Sequence, residues 1–503
     1  MSTTELLRRE WTAFRRPGRL AALAVAALAV VALGLLYAVG DHSSCDGPCP
    51  ATPVAEDGSI VSDQFWFRHR ELGREGTITV RLTSMTGTIT YPPPDHDRIV
   101  PGLVPWAKAG IIVKDGTRQG SPYAALMVTG SHGVRFQHDY THDVAGNAGG
   151  ATENWLRLTR AGDTITGSGS VDGEQWHTVG TAELDGLPDT VRVGLFATSP
   201  GDLALRGTGL GGAIEEVRFT QAVGVFDHVT VEGGATGPWV SEPVGEMNHT
   251  DWEKHNRASG VVEEGGVVTV SGTGDIGPLN DEGRRSLVNL LLGLVLALII
   301  LLVTAARYGA RTARETAARP VIGARAAVVG AATFVTGLIA VGIVIPVGIA
   351  FLRANGTPVQ SLSVLSGARV VLGVAAVLAL CAVLAYGLGV WLRRGWAAVL
   401  SGLSLVALPY TVTTFPLLPD AVSEWLLRLT PAAAFAVQQT MVEYPQVTAH
   451  YAPSAGYFPL PGWAGLVLLC AYTALVLRMA IHRRPPANTD WRWWTVSGPG
   501  GGL

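Results

Sequence analysis

The chain has 503 residues, of which 15% are charged, against roughly 25% in an ordinary soluble protein. Its formal net charge of −3 is a cancellation, because residues 41–285 hold 33 acids and 18 bases (net −15) and the rest holds 7 acids and 19 bases (net +12). Uncharged apolar runs outside the acidic block exclude a near-neutral soluble enzyme, and an apolar share of 48% excludes disorder.

In chain order, residues 1–19 come first. Thr4 to Arg16 carries Leu6, Leu7, Trp11 and Phe14 among arginines, the pattern of an amphipathic helix lying along a membrane surface. Leu20 to Gly40 is an uncharged stretch preceded by Arg8, Arg9, Arg15, Arg16 and Arg19, and about 20 such residues suffice to cross a bilayer. A secretory signal is the competing reading. The run exceeds the usual 7 to 15 residues of a signal core, which favours an uncleaved helix over residues 20–40.

Residues 41–285 change period. Cys45 and Cys49 stand in a turn-like Ser-Ser-Cys-Asp-Gly-Pro-Cys-Pro segment, read as a short-loop disulfide in an oxidising compartment. A metal site there would need two further ligands, and only His42 is near. Thr77 to Leu82 alternates as Thr-Ile-Thr-Val-Arg-Leu, and similar β-branched runs recur between Gly, Asp and Pro turns, the signature of an antiparallel sandwich. Asp172-Gly173 is the strongest hairpin signal, with both residues suited to positive φ; it is flanked by Trp155 and Trp176, read as inner-face residues.

Four segments sharpen this expectation: Trp106-Ala-Lys-Ala-Gly-Ile-Ile-Val-Lys-Asp115, Asn154-Trp-Leu-Arg-Leu-Thr-Arg160, Ser170-Val-Asp-Gly-Glu-Gln-Trp176 and Val193-Gly-Leu-Phe-Ala-Thr-Ser199. Their order and spacing resemble the successive strands of concanavalin or laminin-G-like jelly rolls. The resemblance covers about residues 54–233 and implies a two-sheet scaffold without implying a function. A glycosidase would need two facing carboxyls. The obvious pair, Glu215-Glu216, consists of neighbours whose side chains point to opposite faces of a strand, and reads as solvated edge charge. His132, His138, His142, Asp139 and Asp143 form the densest metal-like group. A four-residue spacing in a sheet does not place His138 and His142 on one helix-like face, so no metal is expected there. Residues 234–285 read as a membrane-proximal β segment.

Further uncharged runs follow at Ser286 to Ala306, Ala326 to Leu352, Val370 to Leu392, Trp396 to Leu418 and around Trp463 to Leu477, which makes six spans. Cys381 and Cys470 fall within them and read as small apolar packing residues. With the N-terminus inside, the inner segments collect Arg307, Arg311, Arg314, Arg319, Arg325, Arg393, Arg394, Arg478, Arg483, Arg484 and Arg492, whereas the short outer loops keep only Arg353, Arg369 and Arg428. Arginine held on the cytoplasmic side therefore places both termini, with the tail 485–503, in the cytoplasm of a plasma-membrane protein and residues 41–285 outside. Arg284 and Arg285 abut the second span from the wrong side, which a long translocated domain tolerates.

Two further segments carry chemistry. Residues 307–325 begin as Arg307-Tyr-Gly-Ala-Arg-Thr-Ala-Arg-Glu-Thr-Ala-Ala-Arg-Pro320, read as a short polar helix ended by the proline. Residues 420–444 split into Asp420 to Leu429 and Pro431 to Tyr444 at Thr430-Pro431, each piece too short and too polar to span. Glu424 and Arg428 pair at i, i+4, and Gln438, Gln439 and Glu443 need water or protein contact.

These pieces together resemble the permease subunit of type 2 ATP-binding-cassette exporters. The likeness rests on Arg8-Arg-Glu-Trp-Thr-Ala-Phe-Arg15, on Arg307 to Arg325, and on Trp425-Leu-Leu-Arg-Leu-Thr-Pro-Ala-Ala-Ala-Phe-Ala-Val-Gln-Gln439. It covers about residues 4–40 and 286–484. The resemblance implies an elbow helix with Glu10, Trp11 and Phe14, and a coupling segment with Tyr308, Arg311, Arg314, Glu315 and Arg319 that docks on an ATPase subunit. It also implies an external re-entrant pair with Glu424, Arg428, Pro431, Gln438 and Gln439, and a second permease subunit that completes the pathway as a homo- or heterodimer. The inserted external domain departs from the family pattern.

The expected fold is thus a polytopic α-helical membrane protein of six transmembrane helices with an inserted all-β jelly-roll sandwich. No Gly-rich phosphate cradle is present, and the lysines, Lys108, Lys114 and Lys254, all lie in the acidic block. ATP hydrolysis is therefore expected from a partner, with no cofactor bound by this chain and no covalent chemistry. Ion-coupled transport is disfavoured because the spans carry almost no charge. Nucleic acid is excluded as a partner because the arginines are dispersed at span ends. The rival reading is a multi-span surface receptor or adhesion protein whose jelly roll binds glycan.

Overall fold

The computed structural model describes residues 2–42, 52–279 and 287–482, apart from 93, 96, 147–153, 208, 210, 316 and 361. Cys45 and Cys49 therefore lie outside the described residues, as do Arg284, Arg285 and the tail 485–503. Among the described residues the α-helices are α1 (Thr3–Phe14), α2 (Pro17–Gly40), α3 (Asp251–Asn256), α4 (Leu294–Arg314), α5 (Arg319–Ala354), α6 (Val364–Leu392), α7 (Gly395–Gly402), α8 (Leu408–Thr414), α9 (Asp420–Leu429) and α10 (Gly462–His482). Six helical stretches are long and apolar enough to cross a membrane: Pro17–Gly40, Leu287–Arg314, Arg319–Ala354, Val364–Leu392, Gly395–Thr414 and Gly462–His482.

Local chemistry sets the helix ends. A capping box opens α1, since Ser2 Oγ accepts from the Glu5 amide and the Glu5 carboxylate accepts from the Ser2 amide. Pro17 then starts α2, where a missing amide hydrogen costs nothing. The fifth apolar stretch is α7 joined to α8 by a π turn over Leu403–Ala407. The wider turn takes up the disruption by Pro409, which has no amide hydrogen to give.

The helices share one apolar core drawn from α2, α4, α5, α6 and α10, joined by Phe14 of α1, Ala398 of α7, Tyr410 of α8, Leu427 of α9 and Phe435. Helices α4 and α6 cross at Gly309 and Gly389, where a Cβ on either residue would stand 2.1 to 2.2 Å from a backbone oxygen of the other helix. Only glycine permits that backbone approach. Cys381 is buried in this core as a small apolar residue, and Cys470 is exposed on α10.

Among the described residues, the strands of the acidic block all pair antiparallel. Its main sheet runs in the order His177–Glu183, Thr164–Ser170, Trp155–Ala161, Phe65–Thr90, Val191–Thr198, Lys108–Lys114, Tyr123–Thr129, Val134–His138 and His142–Ala145. Strand Phe65–Thr90 joins the two halves: residues 66–72 pair with Val191–Thr198, and residues 75–81 pair with Trp155–Ala161. Its other edge pairs with the 32-residue strand Ala213–Val244 through four register shifts, which bend the pair. The halves fold face to face into a sandwich around Ile78, Val80, Ile111, Val113, Leu126, Phe136, Leu156, Leu158 and Ile165. Phe136 seats on Gly167 and Gly180, where a Cβ would stand 2.5 Å from its ring.

Three expectations change. Residues 171–176 form a loop rather than a two-residue turn, because Asp172 caps it: its Oδ1 accepts from the Glu174 and Gln175 amides and from Ser170 Oγ, and only Gly173 takes positive φ. Trp155 and Trp176 lie outside the core, since Leu156 and Leu158 take the inner positions of their strand; Trp155 meets His228, and Trp176 is covered by Arg157 at 3.7 Å. Residues 234–278 do not stand apart as a membrane-proximal segment. Val267–Gly272 pairs with Ala213–Val244, and Val268 and Val270 enter the sandwich core.

On the other face of strand Lys108–Lys114, a second core of Phe65, Phe67, Ile112, Tyr123, Tyr140 and Phe196 lies under the short pair Val61–Asp63 and Ile276–Pro278. Both lysines of that strand are fully buried. Lys108 Nζ donates to Asp275 at 2.6 Å, and Lys114 Nζ donates to Asp63 at 2.8 Å, to the Ser121 carbonyl and to Tyr140 Oη. Burial pulls the Lys114 ammonium down against the opposing pull of Asp63, and burial raises the Asp275 carboxyl. Removing one partner leaves the other charge buried and unpaired. Lys114→Met is expected to cost about 3–5 kcal/mol of stability, whereas Lys254→Met, at the exposed Asp251 pair, should stay within about 0.5 kcal/mol. Denaturant unfolding of the two variants side by side checks this contrast.

Candidate functional site

The six long helices present two ends, and each carries a polar junction. At the end nearest α1, Arg325 of α5 is the centre. Its Nε donates to Glu10 Oε2 at 2.7 Å, and its Nη1 donates to Glu315 at 2.6 Å and to Thr312 Oγ1 at 3.0 Å. Glu10 is 2% exposed, so its charge relies on this guanidinium. Aromatic contacts extend the junction. Phe14 meets Tyr308 edge-on at 5.6 Å, Tyr308 meets Tyr386 at 5.8 Å, and the Arg19 guanidinium lies 4.3 Å from the Tyr308 ring.

These contacts place the residues named from sequence. Glu10 and Phe14 turn inward, whereas Trp11 remains 42% exposed and stacks on Phe14. Tyr308 is buried, Glu315 reaches Arg325, and Arg311, Arg314 and Arg319 are exposed. The segment from Arg307 is not a separate helix ended by proline. It is the last two turns of α4, closed at Glu315, and Pro320 sits in the first turn of α5. Proline is favoured at a helix start, so its presence marks a beginning rather than a stop. Arg16, Arg19, Arg307 and Arg311 surround a groove of about 370 Å³ with Val303, Thr304 and Tyr308, and among the described residues no acid lines it.

At the opposite end, Asp420 to Leu429 forms α9, and Arg428 donates to Glu424 at 2.9 Å. The second piece is shorter than expected and of another kind: a 3-10 helix over Pro431–Gln438, with 439–452 irregular. Packing decides this, because Pro431 to Gln438 is buried throughout and Phe435 stacks on Tyr410 at 3.9 Å. Gln438 bonds Tyr410 Oη at 3.4 Å, and Gln439 accepts from the Phe458 amide at 2.9 Å. Protein contact thus satisfies both amides, while Glu443 is exposed.

The sandwich rests on this end. The Ile60 amide donates to Gln360 at 3.1 Å, Gln446 donates to the Thr141 carbonyl at 3.0 Å, and Gly211 and Gly212 abut Pro416 to Pro419. His450 closes the contact: Nε2 meets Asp420 at 2.7 Å, and Nδ1 meets Glu215 at 3.3 Å. Glu215 is therefore engaged and not simply solvated edge charge. The hydrogen bond to Glu215, aided by Asp420 and opposed by burial, pushes the imidazole up to about 9. Between the base of the sandwich and the adjoining ends of the helices lies a cavity of about 250 Å³ that includes Thr141, Gln360, Ser363, Met441 and Tyr444.

The hairpin below Thr141 overturns another expectation. His138 and His142 are cross-strand partners, so their four-residue spacing brings them together across a turn rather than along a helix. His132 lies elsewhere against Trp106, and Asp143 is tied to Arg135 and Gln137. Sequence reasoning also passed over the roles of Arg325, Thr312 and His450. A single arginine past a proline, or one histidine in a polar loop, carries no local signal of its partner.

Glu10→Gln keeps the shape but removes a charge-assisted bond of about 1.5–3 kcal/mol. Trypsin should then cut faster at Arg8, Arg9 and Arg15, while the rest of the chain keeps its cleavage rate. For His450 the folded value lies above the ordinary 6.5. Its contribution is therefore complete below about pH 6.5 and is lost as pH rises through about 9. Thermal unfolding of the full chain between pH 6 and 9.5 should show a loss of about 1–3 kcal/mol that His450→Gln abolishes.

No protein-family model matches the chain, and no curated protein matches it. Among solved structures, a functionally unknown protein from Saccharomyces cerevisiae is 16% identical, over 36% of this chain and 82% of that chain, with a TM-score of 0.22. At that score the likeness carries neither fold nor function to this chain.

Proposed function

We propose that the chain is the membrane-embedded permease subunit of an ATP-binding-cassette exporter, inserted with both termini in the cytoplasm, its jelly-roll domain outside, and driven by a separate ATPase subunit. One observation carries the reading: the Glu10–Arg325–Glu315 junction, buried at Glu10 and exposed at Glu315, which ties an amphipathic N-terminal helix to the turn between the second and third long helices. In this reading α1 lies along the inner leaflet, with Trp11 exposed toward it. The α4–α5 turn receives the push of nucleotide-driven closure, and Arg311, Arg314 and Arg319 meet the partner. Arg325 passes movement of that turn to α1 and α5 together, since one guanidinium binds both sides.

At the outer end, α9 and the 3-10 helix over Pro431–Gln438 are the half-inserted pair. The buried Gln438 and the half-buried Gln439 are satisfied by Tyr410 and Phe458, which removes the cost of unpaired amides at membrane depth. The cavity beneath the sandwich lies where cargo would leave. Six helices form half of such a pathway, so a second permease subunit completes it. No residue makes or breaks a covalent bond in this account.

Arg311→Glu combined with Arg314→Glu reverses two exposed charges without touching the buried junction. ATPase stimulation in reconstituted complexes should fall at least about tenfold, the equivalent of some 1.4 kcal/mol of coupling, while the amount of inserted chain stays constant. Unchanged stimulation removes the proposed role. Capture of glycan by the full chain, with no ATPase purifying alongside it, turns the assignment to a surface receptor.

A further inference from the structure

The hairpin of strands Val134–His138 and His142–Ala145 carries a side-chain group that the exporter reading does not use. His138 and His142 stand directly opposite each other, and Asp139 follows at the start of the connection. One ligand atom from each of the three lies within 4.8 Å of the other two. The imidazole rings are stacked at 4.4 Å with an interplanar angle of 6°, and His138 Nδ1 is 3.3 Å from Asp139 Oδ2. Two ligands held about 2.0–2.1 Å from one ion are themselves about 3.3 Å apart, so coordination asks the imidazoles to turn out of their stack until their in-plane nitrogens converge.

The backbone beneath is held in place. Asp139 and Tyr140 both take left-handed φ, at 45° and 63°, a conformation costly for a bulky residue such as tyrosine. Tyr140 is kept there by its hydroxyl, which donates to Asp63 at 2.7 Å and contacts the Ser121 carbonyl and Lys114. The Asp139 amide donates to the Tyr123 carbonyl at 3.2 Å, and the Thr141 carbonyl accepts from Gln446. Nearby competing groups are occupied: Asp143 binds Arg135 and neutralises it. The three candidate ligands are themselves accessible, with Asp139 41% and His138 17% exposed at the side chain.

We propose that His138, Asp139 and His142 bind a divalent transition-metal ion of the zinc, cobalt or nickel class, with water completing the coordination. Two imidazoles and one carboxylate suit these ions, whereas calcium and magnesium require all-oxygen shells. The inference does not rest on the exporter reading. Because the Thr141 carbonyl accepts from Gln446, an ion at the hairpin stiffens one of the contacts by which the sandwich sits on the helices.

The test uses the full chain in detergent, without a polyhistidine tag, in a Cys45→Ser/Cys49→Ser/Cys470→Ser background, which leaves only the buried Cys381 thiol. After chelator treatment and gel filtration, Co²⁺ is titrated while visible absorption is followed, and bound metal is counted by mass spectrometry. The expected result is one ion per chain, displaced by Zn²⁺ and not by Ca²⁺ or Mg²⁺, with a rise in thermal midpoint on loading. His138→Asn and His142→Asn should each weaken uptake more than about tenfold, since loss of even an outer-shell partner costs 10–100-fold. Asp139→Asn, which retains the left-handed preference, should weaken it too. Absence of uptake by the starting protein, or undiminished uptake by folded His138→Asn/His142→Asn, overturns the site.

Discussion

The β-rich domain is organised by two ammonium groups that have nowhere else to go. Lys108 and Lys114 occupy the same face of one strand, fully buried, and an unpaired charge in such a place is untenable. The strand Val61–Asp63 and the strand Ile276–Pro278 that Asp275 leads into must therefore lie across that face, and they do so as an antiparallel pair. Each of these strands is also a connection. Asp63 stands a short way beyond α2, and Asp275 stands just before the helical stretch Leu287–Arg314. The ion pairs consequently hold the sandwich by the two chain segments that join it to the helices. Replacing them with apolar residues would make an equally stable core in many proteins, but would not specify which segments close it.

The junction around Arg325 follows the same rule with a different outcome. Glu10 is buried among aromatic and apolar side chains, and Arg325 answers it while sharing its remaining donors with Glu315 and Thr312. A guanidinium suits this place because its planar fork serves several acceptors at once, which an ammonium on a flexible stem does less well. The sandwich end is held otherwise, by single contacts from three separate loops and by a histidine set between two carboxylates. One end is thus joined through a buried network and the other through partly exposed bonds. In the proposed exporter, the first arrangement suits transmission of force and the second suits a domain that shifts as cargo passes.

Much of the architecture was legible in the sequence because it depends on local period and length. An uncharged run of Ala, Leu and Val such as Leu20 to Gly40 can satisfy its backbone as a helix whatever surrounds it, and the alternation of Thr77 to Leu82 declares one buried face. What misled were signals with two local meanings. Pro320 ends one pattern and begins another, and only the geometry of α4 and α5 tells which. Asp172-Gly173 suits a tight turn, but the Asp172 carboxylate captured backbone amides and widened it. The spacing of His138 and His142 is uninformative until a turn places them opposite each other.

The sequence by itself determined how often the chain can cross an apolar layer, which block is acidic, and that the block folds as strands; these follow from composition and periodicity within a few residues. Tertiary structure alone decided which charges meet. Arg325 finds Glu10 across 315 positions, Lys108 finds Asp275 across 167, and Asp420 and Glu215 converge on His450 from two parts of the fold. A local pattern states that a side chain is buried or exposed. The identity of its partner depends on strand register and helix crossing, which are fixed by packing between distant segments, as at Gly309 and Gly389.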